Sequence, residues 1–126
     1  MTKEQIKNGL DLIENLLDTE AKTISEWENK LSQLTSICGF SATVLAHAHA
    51  TKEMELKEKI LLMCNIKPPL QPSLISKISD GLVPNETMLY KRAERMNAAI
   101  SHCIDGLRSL ISLHKQEMQN SIYNDT

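Results

Sequence analysis

The chain has 126 residues, 41% of them hydrophobic, with 16 acidic against 14 basic side chains and a formal charge of −2. That is about one ordinary domain of roughly 100–150 residues, with material for one modest core. The near balance of charge excludes a role resting on bulk attraction to nucleic acid or anionic membrane. The few aromatics, Trp27, Phe40, Tyr90 and Tyr123, are too scattered to form a base-stacking platform.

The first element carries the clearest pattern. From Ile6, alternate steps of four and three meet Ile6, Leu10, Ile13, Leu17, Glu20, Ile24, Trp27, Leu31, Leu34 and Cys38, apolar everywhere but Glu20. Strand alternation cannot generate this order, whereas a coiled-coil-like helix seam does. Thr2 followed by Gln5 reads as a capping box. Gly39 offers a left-handed stop with Phe40 as its hydrophobic follower. The pattern predicts one helix over 3–38, roughly 54 Å long at 1.5 Å per residue.

Ser41 is then read as the cap of a second helix, making residues 39–41 the turn of a tight helical hairpin. This second helix is expected over 42–64, apolar at both ends and charged from Thr51 to Lys59. Pro68, Pro69 and Pro72 stop it, and residues 73–79 suit a short helix closed by Asp80-Gly81. Asn85 reads as the N-cap of a last helix over 86–122, with Glu86 facing its positive end. Its stripe runs Leu89, Ala93, Met96, Ile100, Cys103, Leu107, Leu110 and His114, widened by Ile104, Ile111, Met118 and Ile122. Residues 123–126 are expected to fray.

The expected fold is all-α: one domain over 1–126, an elongated antiparallel bundle of three long helices, the second shorter and followed by a proline-rich break. Met1 to Gln5 carries no apolar run, so no signal peptide is expected, and no stretch approaches the roughly 20 apolar residues of a membrane span. Cys38, Cys64 and Cys103 lack metal-type spacing and read as reduced thiols, which fits a cytoplasmic protein.

A polar middle in the second helix would leave part of the other two stripes without a lid. An open apolar stripe in water marks an interface. The expected function is therefore non-enzymatic protein–protein interaction, of adaptor, chaperone, immunity or inhibitor type, with a protein partner that includes a second copy as homodimer. The expected partner groove is Leu17, Ile24, Trp27, Leu31, Met96, Ile100 and Leu107. Nucleic acid, membrane, metal and cofactor are not expected. The methionines, Met54, Met63, Met88, Met96 and Met118, read as core filler, although methionines bordering an open groove would suit an adaptable binding surface.

Two enzymatic alternatives rest on histidines. His49 followed by Lys52 resembles the phospho-accepting segment of histidine phosphotransfer domains, also helical bundles; Glu53 stands where that family has a small residue. The resemblance implies a phosphoryl group carried on His49. Arg108 and His114 resemble the Arg-x(4–6)-His signature of HEPN-type ribonucleases, which implies phosphate steadying by Arg108 and proton transfer by His114. Arg95 and His102 satisfy the same spacing. His47 and His49, two apart on a helix, point away from each other and cannot share a metal ion. Lys91, Arg92 and Arg95 form the basic cluster, read as a solvated face or the rim of an interface.

Overall fold

Thr2 opens α1 (Lys3–Asp18) with the capping box read from the sequence: Gln5 N–H donates to Thr2 Oγ1 at 3.2 Å, and Thr2 N–H to Gln5 Oε1 at 2.8 Å. The computed structural model describes residues 1–64 and 72–124, and all of its elements are helices: α1, α2 (Ile24–Cys64), α3 (Pro72–Leu82) and α4 (Pro84–Asn124). The all-α expectation holds. The proline break before Pro72 lies outside the described residues.

The division of the first half differs from the expected one. The helix predicted over 3–38 is interrupted at residues 19–23, and α2 then runs unbroken through the predicted turn at 39–41. Three capping devices cause the interruption. Lys30 Nζ donates to Leu17 O and Thr19 O, both at 2.7 Å, so a cation from α2 satisfies carbonyls that α1 leaves orphaned at its negative end. Trp27 Nε1–H donates to Ala21 O at 2.9 Å, pinning the loop onto the next helix. Thr23 then caps α2: Glu26 N–H donates to Thr23 Oγ1, and Lys22 N–H to the Glu26 carboxylate. Glu20, the one polar step in the seam, lies in the reversal.

At Gly39 the helix simply continues. A Cβ placed there would meet nothing within 4 Å, so no packing demands glycine. Ser41 is no cap; it is buried at 2% exposure and its hydroxyl donates to Asn97 Oδ1 on α4 at 3.1 Å. The α2 seam runs on past Leu34 through Ser41 and Ala48 with Val44 beside it, all buried. Small side chains conceal its continuation in the sequence.

The core lies between α1, α2 and α4 in two clusters. Ile6 and Leu10 of α1 meet Val44 and Ala48 of α2 and Ala93 of α4. Further along, Ile13 meets Leu34, Ile100, Ile104 and Leu107. The pairings make α1 antiparallel to α2 and parallel to α4, with α2 and α4 antiparallel. The charged middle of α2 is partnered: Lys52 Nζ lies 3.2 Å from Asp80 and 5.2 Å from the Tyr90 ring centroid, and Glu55 lies 3.6 Å from Lys3 Nζ. α4 begins at Pro84, where a missing N–H costs nothing, so Asn85 is already helical and does not cap. Among the described residues, no helix is long and apolar enough to cross a membrane.

Candidate functional site

The seven residues expected to line an open groove are brought into the body of the protein. Ile100 and Leu107 are buried core members, while Leu17, Trp27, Leu31 and Met96 pack half-buried against the same cluster. Ile24 is half-buried at the start of α2. Their apolar surface is spent within the chain, so the apolar surface facing solvent lies elsewhere.

One such surface is an open groove of ~940 Å³ where α1 flanks the first turns of α4. Met88, 69% exposed, and half-buried Leu89 supply its apolar floor. Lys7 of α1 and Lys91, Arg92, Glu94 and Arg95 of α4 supply its rim. The helical step brings Met88, Lys91, Arg92 and Arg95 onto one side of α4.

The cations divide into two kinds. Arg92 is structural: its Nη2 donates to Asp11 Oδ1 at 2.8 Å and to a Glu14 carboxylate oxygen, bolting α1 to α4. Burial works to lower its pKa, but its hydrogen bonds to these two carboxylates and their negative charge outweigh that and raise it. Lys7, Lys91 and Arg95 are exposed and make no ion pair among the described residues. They can meet carboxylates of a partner whose apolar side chains rest on Met88 and Leu89. The sequence showed the α4 cluster; only the fold adds Lys7 from α1 and removes Arg92.

A second groove, of ~610 Å³, lies between α1 and α2, with Leu12, Leu16, Ile37 and Phe40 among amide and hydroxyl side chains. The methionine reading needs correction here too. Met54, Met88 and Met118 are exposed, whereas Met96 packs on the core as expected.

The histidines are dispersed. His49 Nε2 lies 3.8 Å from Glu53 Oε1, so a carboxylate already faces the nitrogen that the phosphotransfer resemblance would load. Its ring sits 5.1 Å from that of Tyr90, and His47 is half-buried. His114 packs edge-on against Trp27, with ring centroids 6.0 Å apart. Arg108 is exposed and six residues earlier on the same helix, about 9 Å along the axis and about 120° around it. Among the described residues, no three His, Cys, Asp or Glu side chains are grouped as a metal site. Cys38 and Cys103 are free, half-buried thiols.

Sequence reasoning missed one buried charge. Glu86, in the first turn of α4, accepts a hydrogen bond from Lys3 Nζ, tying the start of α1 to the start of α4. That hydrogen bond, more than any other cause, holds the Glu86 carboxyl below its ordinary pKa and raises that of Lys3. No protein-family model matches this chain, and no curated protein or solved structure does either.

Proposed function

We propose that the chain is a non-enzymatic interaction module, cytoplasmic in keeping with the free thiols of Cys38 and Cys103, that receives an acidic amphipathic helix of a partner protein. The observation carrying this reading is the α1–α4 groove, where solvent-facing Met88 stands among Lys7, Lys91 and Arg95, cations that make no ion pair among the described residues. Binding of a helix to such a groove takes its affinity from apolar anchors, and the cations steer encounter and orientation. Methionine suits this task because its unbranched, polarisable chain adapts to the anchor it meets.

The test is affinity capture from the native cell with wild-type protein, Met88→Glu, the pair Lys91→Glu/Arg95→Glu, and His114→Ala, with RNA integrity followed in parallel. A stoichiometric partner lost with Met88→Glu and with the charge reversals, but retained with His114→Ala, is the expected result. All substituted groove residues are exposed, so circular dichroism of each variant should match the wild type. RNA loss that depends on Arg108 and His114 would replace this reading with the ribonuclease.

A further inference from the structure

The reversal at residues 19–23 has an unusual composition for a turn between helices. Thr19-Glu20-Ala21-Lys22-Thr23 contains no glycine or proline, and every residue in it is able to be helical. The apolar stepping also crosses it without losing phase, through Leu17, Glu20 and Ile24. A turn that merely joined two helices would have no reason to keep the register of one with the other.

The far end of α4 supplies the second observation. Trp27 of α2 meets His114 of α4, and the two helices are antiparallel, so Ile24 stands opposite about residue 117. Beyond that point α4 has no helix beside it among the described residues, yet it carries Met118 and Ile122, 54% and 66% exposed. If α2 were continued backward as helix, residues 19–23 would run beside residues 118–122. The unpartnered end of α4 then gains the neighbour that its apolar side chains lack.

We infer that α1 is exchangeable between two copies of this chain: the 19–23 reversal straightens into helix, residues 3–64 become one continuous helix, and each α1 docks on the α2–α4 face of the other copy. The docking face is the one α1 already occupies, formed by Val44, Ala48, Leu34, Ala93 and Ile100. Every core contact of α1 is repeated between copies, so exchange leaves the core unchanged and draws its balance from the hinge. Straightening gives up the Lys30 and Trp27 bonds to the reversal and the Thr23 cap. It gains backbone bonds through 19–23 and covers Met118 and Ile122. The occupant of the vacated face is thus a second copy, whatever the α4 groove binds.

The Lys3–Glu86 pair makes exchange directly readable. In a chain carrying Lys3→Glu, the new carboxylate faces those of Glu86 and Glu55; in one carrying Glu86→Lys, two ammonium groups face each other. Only exchange of α1 between the two variants restores opposite charges at both sites. Each variant is purified alone, and the two are mixed in equal amounts, unfolded and refolded together. Sedimentation and circular dichroism then report mass and helicity. The expected result is a heterodimer, a doubling of the 14.2 kDa chain mass, with helicity at least that of the separate variants. Adding Glu20→Pro to both should abolish the dimer, because proline bars the continuous helix. In the folded reversal the preceding residue suits proline, since Thr19 has the extended φ −61° and ψ 124° that a residue before proline prefers. Circular dichroism of the singly substituted Glu20→Pro chain checks that the monomer fold survives. A mixture that stays monomeric, or that unfolds without mutual rescue, would overturn the inference. So would a dimer that survives Glu20→Pro.

Discussion

The half of the α2–α4 pair that α1 covers and the half it leaves uncovered are held together by different means. Under α1 the interface uses small residues, Gly9, Ser41, Ala48 and Ala93, which bring backbones close, and ion pairs at the edges clamp them. A Cβ on Gly9 would stand 3.0 Å from Phe40 Cζ and 3.1 Å from Val44 Cγ2. Toward the C-terminus of α4, Trp27 closes the pair edge-on against His114, and Leu110, Leu113, Met118 and Ile122 face solvent. The covered half is built to fit one helix. The uncovered half is built with apolar surface to spare. Close fit stabilises a monomer and confines its spare surface to the flanking grooves at Met88 and Leu12, whereas the bare end of α4 is spare surface that a second copy can remove from water.

The largest effect that would break this contrast is loss of the α1 key. Leu10→Ala should lower unfolding free energy by about 2–5 kcal/mol in urea, because a fully buried side chain leaves a cavity among three helices. Truncating Met118 or Ile122 to alanine should change it by less than about 0.5 kcal/mol, as for other exposed positions. Equal losses at both ends would erase the distinction between the halves.

The Lys3–Glu86 clamp sharpens the contrast through pH. Because the folded-state pKa of Glu86 is depressed, its contribution is complete above the unfolded carboxylate value of about 4.3 and fades as pH falls through the folded value. Lys3 behaves in the opposite sense: its raised pKa gives a contribution complete below the unfolded lysine value and lost as pH rises through the folded one. Glu86→Gln should cost about 1–3 kcal/mol at neutral pH. It should also remove part of the acid-induced decline expected of the wild type between pH 5 and 3 in urea titrations, a window set by the ordinary carboxylate range. An unchanged difference between the two proteins across that range would show that the clamp is not ionic.

Gly9→Ala comes next in size. Alanine favours the helix by about 1 kcal/mol, but the new methyl presses on buried Val44, and overpacking typically costs about 1–3 kcal/mol. A net loss of about 1 kcal/mol in thermal or urea unfolding is expected. At Gly106, on the exposed side of α4, a Cβ meets nothing, so the same change should stabilise.

Much of this was readable from the residues alone. The Thr2–Gln5 box, the seam of α1 and the course of α4 follow from capping and periodicity, which act locally. The reversal at 19–23 was hidden because Glu20 looked like one tolerable exception in a long stripe. Its marker was the Thr23–Glu26 pair, a threonine followed three residues later by a carboxylate. Gly39 misled because glycine favours helix ends on average, whereas here burial of Ser41, Val44 and Ala48 carries the helix past it. Of the candidate site, the Lys91–Arg92–Arg95 cluster was legible. That Arg92 is consumed by Asp11 and Glu14, and that Lys7 joins the rim, depends on tertiary placement of α1.

The account turns on where the chain reverses, since that decides which surfaces α1 covers and which remain open. Gly39→Ala tests it most directly, by urea unfolding of the two proteins side by side. If α2 runs through residue 39, alanine should raise the stability by about 0.5–1 kcal/mol, the propensity difference at an exposed helical site. A loss of about 1 kcal/mol or more, as alanine gives where a turn requires positive φ, would place the reversal at 39–41 and contradict the arrangement described.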